Sequence, residues 1–202
     1  MRIHLFLLLF VIAVFIWSMI KPLGGSLSWV LEVGPAFLLL IIAIATYNKL
    51  RLTTLSYFII AILSILMMIG GHYTYGKVPI FNWIKDTFEL KRNYYDRFGH
   101  FIKGLFAIVI REILLRKIPL IKGFWLVTMV LTTSLAISSL YEIIEWIVSI
   151  IIKGETAKNF LGIQGSNWDT QWDMLLAFIG SILALLILSK LHNRLLKKEL
   201  IK

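Results

Sequence analysis

Long apolar runs alternate with short polar segments along the whole chain. Runs of this length match a hydrocarbon core of roughly 30 Å, because a helix rises about 1.5 Å per residue. About six membrane-spanning helices are predicted, at residues 3–20, 29–47, 53–71, 97–115, 124–152 and 174–191. The stretch between the third and fourth runs is too polar to span, and its apolar Phe81, Ile84 and Phe88 share helical spacing. That spacing predicts a short amphipathic helix at the membrane interface.

The composition agrees with a membrane protein and leaves no room for a separate soluble domain. Of 202 residues, 59% are hydrophobic and 16% are charged, and the mean hydropathy is +0.85. Soluble domains contain fewer apolar and more charged residues. We therefore predict an all-α, polytopic transmembrane helix bundle in which residues 1–202 form a single integral membrane domain. The absence of Cys excludes disulfide bonds, thiolate catalysis and Cys-ligated zinc.

The net charge of +10 does not by itself indicate a nucleic-acid partner. Lys and Arg near the ends of transmembrane helices set the orientation of the chain and contact anionic lipid headgroups. These residues are denser in the short segments on the side of the two termini, for example at Lys49, Arg51, Arg116 and Lys117. The distribution predicts that both termini are cytoplasmic. It also predicts membrane lipids as partners, with no nucleic acid, and leaves a homo-oligomer open.

Ionisable side chains recur at one depth of this predicted bundle. Asp96, His100 and Lys103 share one helical face at the start of the fourth run. The predicted topology places the following residues at or just below the outer membrane face: His72, Asp96, His100, Glu142, Glu145, Asp169 and Asp173. Ionisable groups inside a membrane are costly and by default mark a functional site. We therefore predict that these side chains converge in one site.

The combination of imidazole and carboxylate predicts a divalent metal, zinc or manganese, as the cofactor. Such an ion activates water for hydrolysis or bridges a phosphate. The predicted metal ligands are His72, Asp96, His100, Glu142, Asp169 and Asp173. The predicted catalytic residues are Glu142, Glu145, Asp96 and His100. The predicted substrate-binding residues are Lys103, Arg92 and Arg97, whose positive charges suit an anionic headgroup.

These features also have simpler structural interpretations. Salt bridges at the headgroup level explain Asp and Arg pairs, acidic residues are typical of helix N-termini, and intramembrane Glu residues also form structural ion pairs. Glu32 is expected to be solvated in the first turn of its helix. His4 and His192 are expected to be incidental.

Four ordered motifs carry a family resemblance. They are GGHYTYGKVP from Gly70, RNYYDRFGHF from Arg92, SLYEIIEW from Ser139 and FLGIQGSNWDTQWDM from Phe160. In these motifs the chain resembles the YjdF-like family of bacterial inner-membrane proteins of unknown function. More distantly, DRFGHF, the glutamates of YEIIEW and WDTQWDM are similar to the three polar motifs of VanZ-like membrane proteins. The resemblance implies a multi-pass protein of the bacterial cytoplasmic (inner) membrane with a role in the cell envelope.

The residues and the resemblance together predict an integral membrane protein with a polar His, Asp and Glu site at the outer face. The predicted chemistry is metal-assisted hydrolysis or transfer on a lipid-phosphate or other envelope substrate, although the sequence leaves open whether the protein is an enzyme. Two alternatives remain, a non-catalytic envelope protein and a transporter coupled to cations or protons. The second alternative stays open because intramembrane acids and histidines also build proton relays.

Overall fold

A computed structural model describes residues 2–118, 120–152, 154, 160, 164 and 166–200. Within these residues the protein forms α-helices, one 3-10 helix at Tyr75–Lys77 and no strand. The α-helices are α1 (Arg2–Ser18), α2 (Gly25–Thr46), α3 (Thr54–Tyr73), α4 (Pro79–Thr87), α5 (Tyr95–Lys103), α6 (Phe106–Lys117), α7 (Gly123–Ile152) and α8 (Asp169–Leu200). The predicted all-α class is confirmed.

Among the described residues, four helices are long and apolar enough to cross a membrane. These helices are α2, α3, α7 and α8, and α1 is a shorter apolar helix of 17 residues. The bundle is therefore polytopic, as its hydropathy predicts. The number of six spans and the cytoplasmic location of both termini stay predictions.

The run predicted as one fourth span, residues 97–115, differs in the structure. It consists of two short helices, α5 and α6, which meet at Gly104 and Leu105. The break lies where the chain crosses α8 at backbone contact. A Cβ added to Gly104 would lie 2.5 Å from the carbonyl carbon of Gly180 and from the backbone nitrogen of Ser181. Only small residues permit such close helix packing, and this contact holds the polar face of α5 against the start of α8.

The apolar core lies between α3, α6, α7 and α8. Ile108 and Val130 are fully buried there, together with aliphatic residues from the neighbouring helices. The outward faces of α1, α2 and α7 are apolar as well, and Phe6, Leu38 and Ile144 are among the exposed side chains. An apolar outer surface suits contact with lipid tails.

The connection between α3 and α5 contains α4, the short helix predicted at the interface. Its Ile80 is exposed, whereas Phe81 packs edge-on against Tyr95 with ring centroids 5.3 Å apart. The buried Asn93 anchors this connection, because its side-chain amide donates to the Val78 carbonyl oxygen at 3.1 Å. The start of α5, which carries the predicted site residues, is thereby held in place.

Candidate functional site

Three helices bring most of the predicted site residues together. α5 contributes Asp96 and His100, α7 contributes Glu142, and α8 contributes Asp173 from its first turns. All four side chains are buried, and His100 is only 2% exposed. Asp96 and His100 share a face because they lie four residues apart on a helix, and the His100 Nε2 atom is 3.6 Å from Asp96 Oδ1. The predicted convergence of these residues is what the geometry shows.

His100, Glu142 and Asp173 form a triad whose potential ligand atoms all lie within 4.8 Å of one another. His100 Nδ1 is 3.7 Å from Glu142 Oε1. Among the described residues, His100 Nδ1, Glu142 Oε1 and Asp173 Oδ1 are buried without a hydrogen-bond partner. Buried polar atoms are normally paired, and each exception needs an explanation. A ligand shared by the three helices would satisfy these three atoms together.

His100 and Glu142 have the spacing of two ligands of one metal ion. Two ligand atoms that each lie about 2.1 Å from a zinc ion are at most about 4.2 Å apart. The 3.7 Å between His100 Nδ1 and Glu142 Oε1 falls within that limit. A second triad of Asp96, Asp169 and Asp173 also has ligand atoms within 4.8 Å of one another. Because the two triads share Asp173, the residues present fit one divalent ion or two adjacent ions.

Lys103 brings a positive charge to the same site. Its ammonium lies 3.0 Å from His100 Nε2 and 4.4 Å from the centroid of the Tyr141 ring. The Tyr75 ring is on its other side, at 5.8 Å. Burial raises the pKa of the Tyr75 phenol well above its ordinary value, so that this ring is a neutral wall of the site. An ammonium only donates hydrogen bonds, and His100 Nε2 is therefore the acceptor in this arrangement.

The predicted substrate-binding residues Arg92 and Arg97 are both paired in the structure. Arg92 donates through both terminal nitrogens to the carboxylate of Asp169, with Nη2 3.0 Å from Oδ2. Arg97 Nη2 lies 3.1 Å from Asp169 Oδ1, and its guanidinium faces the rings of Tyr94 and Trp172. Two cations share one carboxylate, so this rim of the site keeps a surplus positive charge. Asp169 fastens the start of α8 to the segment before α5.

Two of the predicted metal ligands and catalytic residues lie outside both triads. Glu145 is half-buried one turn after Glu142, and it interacts with Tyr141 on the same helix. His72 lies against α1, where its Nδ1 is 3.2 Å from the Ser18 carbonyl oxygen and its ring packs on Trp17. The structure thus places His72 apart from the other predicted metal ligands. The last turn of α3 faces α1 at this point, and hydropathy alone does not reveal that orientation.

Glu32 is not solvated, contrary to the expectation from its place near a helix start. It is only 1% exposed, and one carboxylate oxygen accepts a hydrogen bond from Ser28 at 2.8 Å. Its Oε2 atom has no hydrogen-bond partner among the described residues. The spacing of Ser28 and Glu32, four residues apart, and the facing Gly71 on α3 are the signals that would have predicted burial.

His192 is not incidental either. It is fully buried, with Nδ1 2.6 Å from a guanidinium nitrogen of Arg111 and Nε2 3.3 Å from Glu112. Glu112 also pairs with Arg116, four residues later on α6, at 2.7 Å. The Glu–Arg spacing on one helix was visible in the sequence, but the contact with a histidine at the far end of α8 was not.

Comparison with known proteins places the chain in a family. The model of the family described as "Predicted membrane protein (DUF2238)" matches residues 3–194. The chain is also 40% identical to inner membrane protein YjdF of Escherichia coli (strain K12) over 174 residues, which cover 86% of this chain and 83% of that protein. No solved structure matches. The chain belongs to this DUF2238, YjdF-like family, and it is a multi-pass protein of the bacterial cytoplasmic membrane. The VanZ-like resemblance stays a prediction.

Proposed function

We propose that this protein is a metal-dependent enzyme that hydrolyses or transfers the phosphate group of a lipid-linked phosphate at the outer face of the cytoplasmic membrane. One observation carries the proposal. Buried atoms of His100, Glu142 and Asp173 converge from three helices and lack partners among the described residues. Carboxylate and imidazole groups of this kind bind zinc or manganese.

The tautomer of His100 links metal binding to the position of Lys103. A histidine that binds a metal through Nδ1 keeps its proton on Nε2. In the structure Nε2 faces both Lys103, at 3.0 Å, and Asp96, at 3.6 Å. With the proton on Nε2, His100 presents an N–H group towards Asp96 and no longer accepts from Lys103. The ammonium is then available for an anionic substrate group.

The remaining side chains have distinct roles in this proposal. A divalent ion held by His100, Glu142 and Asp173 would supply a water molecule of lowered pKa and would withdraw charge from a phosphoryl oxygen. Glu145, half-buried beside the triad, is the base that removes the proton of the attacking water. The water oxygen bonds to phosphorus, the bond from phosphorus to the lipid oxygen breaks, and the lipid oxygen takes up the proton that Glu145 removed. Lys103 compensates the charge on the phosphate, and the surplus charge of Arg92 and Arg97 attracts the headgroup to the rim.

Metal analysis of the purified protein tests the proposal. The wild-type protein in detergent, supplied with zinc or manganese and then desalted, is expected to retain about one or two ions per chain. His100→Ala, Glu142→Gln and Asp173→Asn are each expected to remove the ion that the first triad holds. Asp86→Asn is the matched control, because Asp86 is an acidic residue of the α3–α5 connection with a 72% exposed side chain. It is expected to leave the metal content unchanged.

The outcome also separates the competing classes of function. A folded wild-type protein that stays metal-free under these conditions contradicts the enzyme proposal and favours a structural envelope protein. An ion that binds, with no phosphate released from phosphatidic acid or an isoprenyl phosphate but with ion flux into proteoliposomes, favours a transporter. The proposal also requires the site to face outward, so a reporter fused after Lys91 is expected to report an external location.

A further inference from the structure

An apolar cavity of about 200 Å³ extends from His100 of the triad into the membrane-spanning part of the bundle. His100, Lys103 and Tyr141 line its polar end. Elsewhere its walls are mainly aliphatic and come from α2, α3, α6, α7 and α8, with Leu39, Leu63, Met67, Ile110, Ile137 and Ala177 among them. The cavity is therefore continuous with the proposed catalytic site, but its chemistry is that of a hydrocarbon-binding pocket.

An opening of the cavity is indicated beside Ile137 on α7, and Leu39 on α2 also lines the cavity. α2 packs on α3, whereas α7 packs on α6 and α8. Ile137, on the α7 side, is 47% exposed although it lines the cavity. Leu39 and Ile137 lie in the middle of two helices that are long and apolar enough to cross a membrane. The opening therefore faces lipid tails and not the aqueous phase.

The polar end of the cavity discriminates between lipids. Lys103 supplies a positive charge there, and His100 is 98% buried with an Nδ1 atom that has no hydrogen-bond partner among the described residues. Ser138 also lines the cavity, and its hydroxyl oxygen is buried without a described partner. A hydrocarbon chain alone satisfies none of these groups. A chain that ends in an anionic, hydrogen-bonding headgroup satisfies them together.

We infer that this cavity holds one hydrocarbon chain of a membrane lipid whose phosphate headgroup lies at Lys103 and the His100–Glu142–Asp173 triad. The lipid enters sideways from the bilayer between α2 and α7. The inference rests on the proposed function for the identity of the headgroup, and it deepens that proposal by making the substrate a lipid with its tail inside the protein. A phosphatidic acid and an isoprenyl phosphate share the required chemistry.

Photo-crosslinking tests the inference without any catalytic step. The full-length protein is placed in phosphatidylcholine nanodiscs with EDTA and a trace of phosphatidic acid that carries a diazirine in one acyl chain. Cross-links mapped by mass spectrometry are expected to concentrate on Leu39, Met67 and Ile137. A parallel arm with a diazirine-labelled isoprenyl phosphate shows which of the two lipid types the cavity prefers. Cross-links spread evenly over lipid-facing residues such as Leu38 and Ile144 overturn the inference.

A second experiment uses substitutions that narrow the opening of the cavity. Leu39→Trp is expected to lower cross-linking to Met67 and Ile137 roughly tenfold, which corresponds to about 1.4 kcal/mol of lost binding. Leu38→Trp is the matched control, because Leu38 is the adjacent residue, is 58% exposed and does not line the cavity. If Leu39→Trp fails to fold, Ile137→Trp with Leu140→Trp as its control repeats the comparison from the α7 side. Equal cross-linking in a folded variant and its control contradicts the inference.

Separate measurements test the binding of the lipid headgroup and the binding of its hydrocarbon tail. Lys103→Met is expected to remove the preference for phosphatidic acid over an equally labelled phosphatidylcholine, and an unchanged preference contradicts the role of Lys103. Cross-links that concentrate in the cavity of a protein that binds neither zinc nor manganese support the lipid site and contradict the enzyme proposal. Metal binding together with evenly spread cross-links contradicts only the lipid site.

Discussion

Glu112 on α6 and Glu142 on α7 are both buried in the bundle. They lie near opposite ends of α8, and their surroundings differ. The Glu112 cluster comprises Thr53, Ser56, Glu112, Arg116 and His192. The Glu142 cluster comprises Asp96, His100, Lys103, Glu142 and Asp173. Both clusters join three or more helices and contain a buried histidine. The comparison between them separates a structural ion cluster from a candidate ligand site.

Every described polar contact of the Glu112 carboxylate is favourable. The Thr53 backbone N–H donates to it at 2.8 Å, the Thr53 hydroxyl at 2.7 Å and Arg116 at 2.7 Å. Arg111 donates to His192 Nδ1 at 2.6 Å, which leaves Nε2 as the ring nitrogen that donates to Glu112. A carboxylate with this many donors is stable when charged. The cluster needs no further ligand.

The Glu142 cluster has the opposite balance. Acidic groups outnumber the single cation Lys103, and three of the potential ligand atoms have no hydrogen-bond partner among the described residues. Like charges close together in a medium of low dielectric constant repel strongly. Such an arrangement is costly for folding, and it persists where a ligand uses it. Whether the buried polar atoms are paired, and not burial alone, therefore distinguishes a candidate site from an internal salt bridge.

The largest expected effect is on the Glu112 cluster. Glu112→Gln removes the negative charge but leaves Arg116 in its partly buried position, and breaking a buried pair from one side typically costs about 3–5 kcal/mol. The free energy of unfolding, measured by SDS titration in mixed micelles, is expected to fall by that amount. The metal content of whatever protein remains folded is expected to be unchanged. A stability equal to that of the wild type would mean that the cluster is not structural.

An intermediate effect on the free energy of unfolding is expected at Asp169, whose surroundings are intermediate between those of Glu112 and Glu142. Asp169→Asn leaves Arg92 and Arg97 without their shared carboxylate. We expect a loss of about 2 kcal/mol, at the low end for a buried charge pair, because the rim is close to the headgroup region. The same titration measures it, and Asp86→Asn is the exposed control. A loss of unfolding free energy as large as that of Glu112→Gln would mean that Asp169 is a structural residue that does not contribute to the site.

The smallest expected effect on stability, with the opposite sign, is at Glu142. Glu142→Gln removes one of several neighbouring negative charges, so the free energy of unfolding of the metal-free protein is expected to rise by about 1 kcal/mol. Added zinc is expected to stabilise the wild type but not this variant, as ligand linkage requires. Thermal unfolding with EDTA and with zinc measures both effects. A destabilised, zinc-independent Glu142→Gln protein would make the two clusters equivalent and remove the basis of the comparison.

Much of the candidate site was predictable from the sequence, because helical spacing is a local property. Asp96 and His100 share a face in any helix, and an acidic residue within a long apolar run is conspicuous. His72 shows where that reasoning fails. Its position at the end of α3 was inferred correctly, but its ring points to Trp17 and not to the triad. The depth of a residue follows from hydropathy, whereas the direction of its side chain depends on how the helix is rotated.

The helical class, the membrane location and the set of ionisable residues follow from the amino-acid sequence alone. Each of these depends on the composition of one stretch of chain, since about 20 apolar residues are enough to span a bilayer. Which carboxylates are paired, in contrast, depends on how the helices pack. Glu112 meets Thr53 from 59 residues away, and Glu142 meets His100 and not a neutralising Arg. Such pairings depend on the rotation and register of whole helices, which are determined by packing contacts such as that of Gly104 with Gly180.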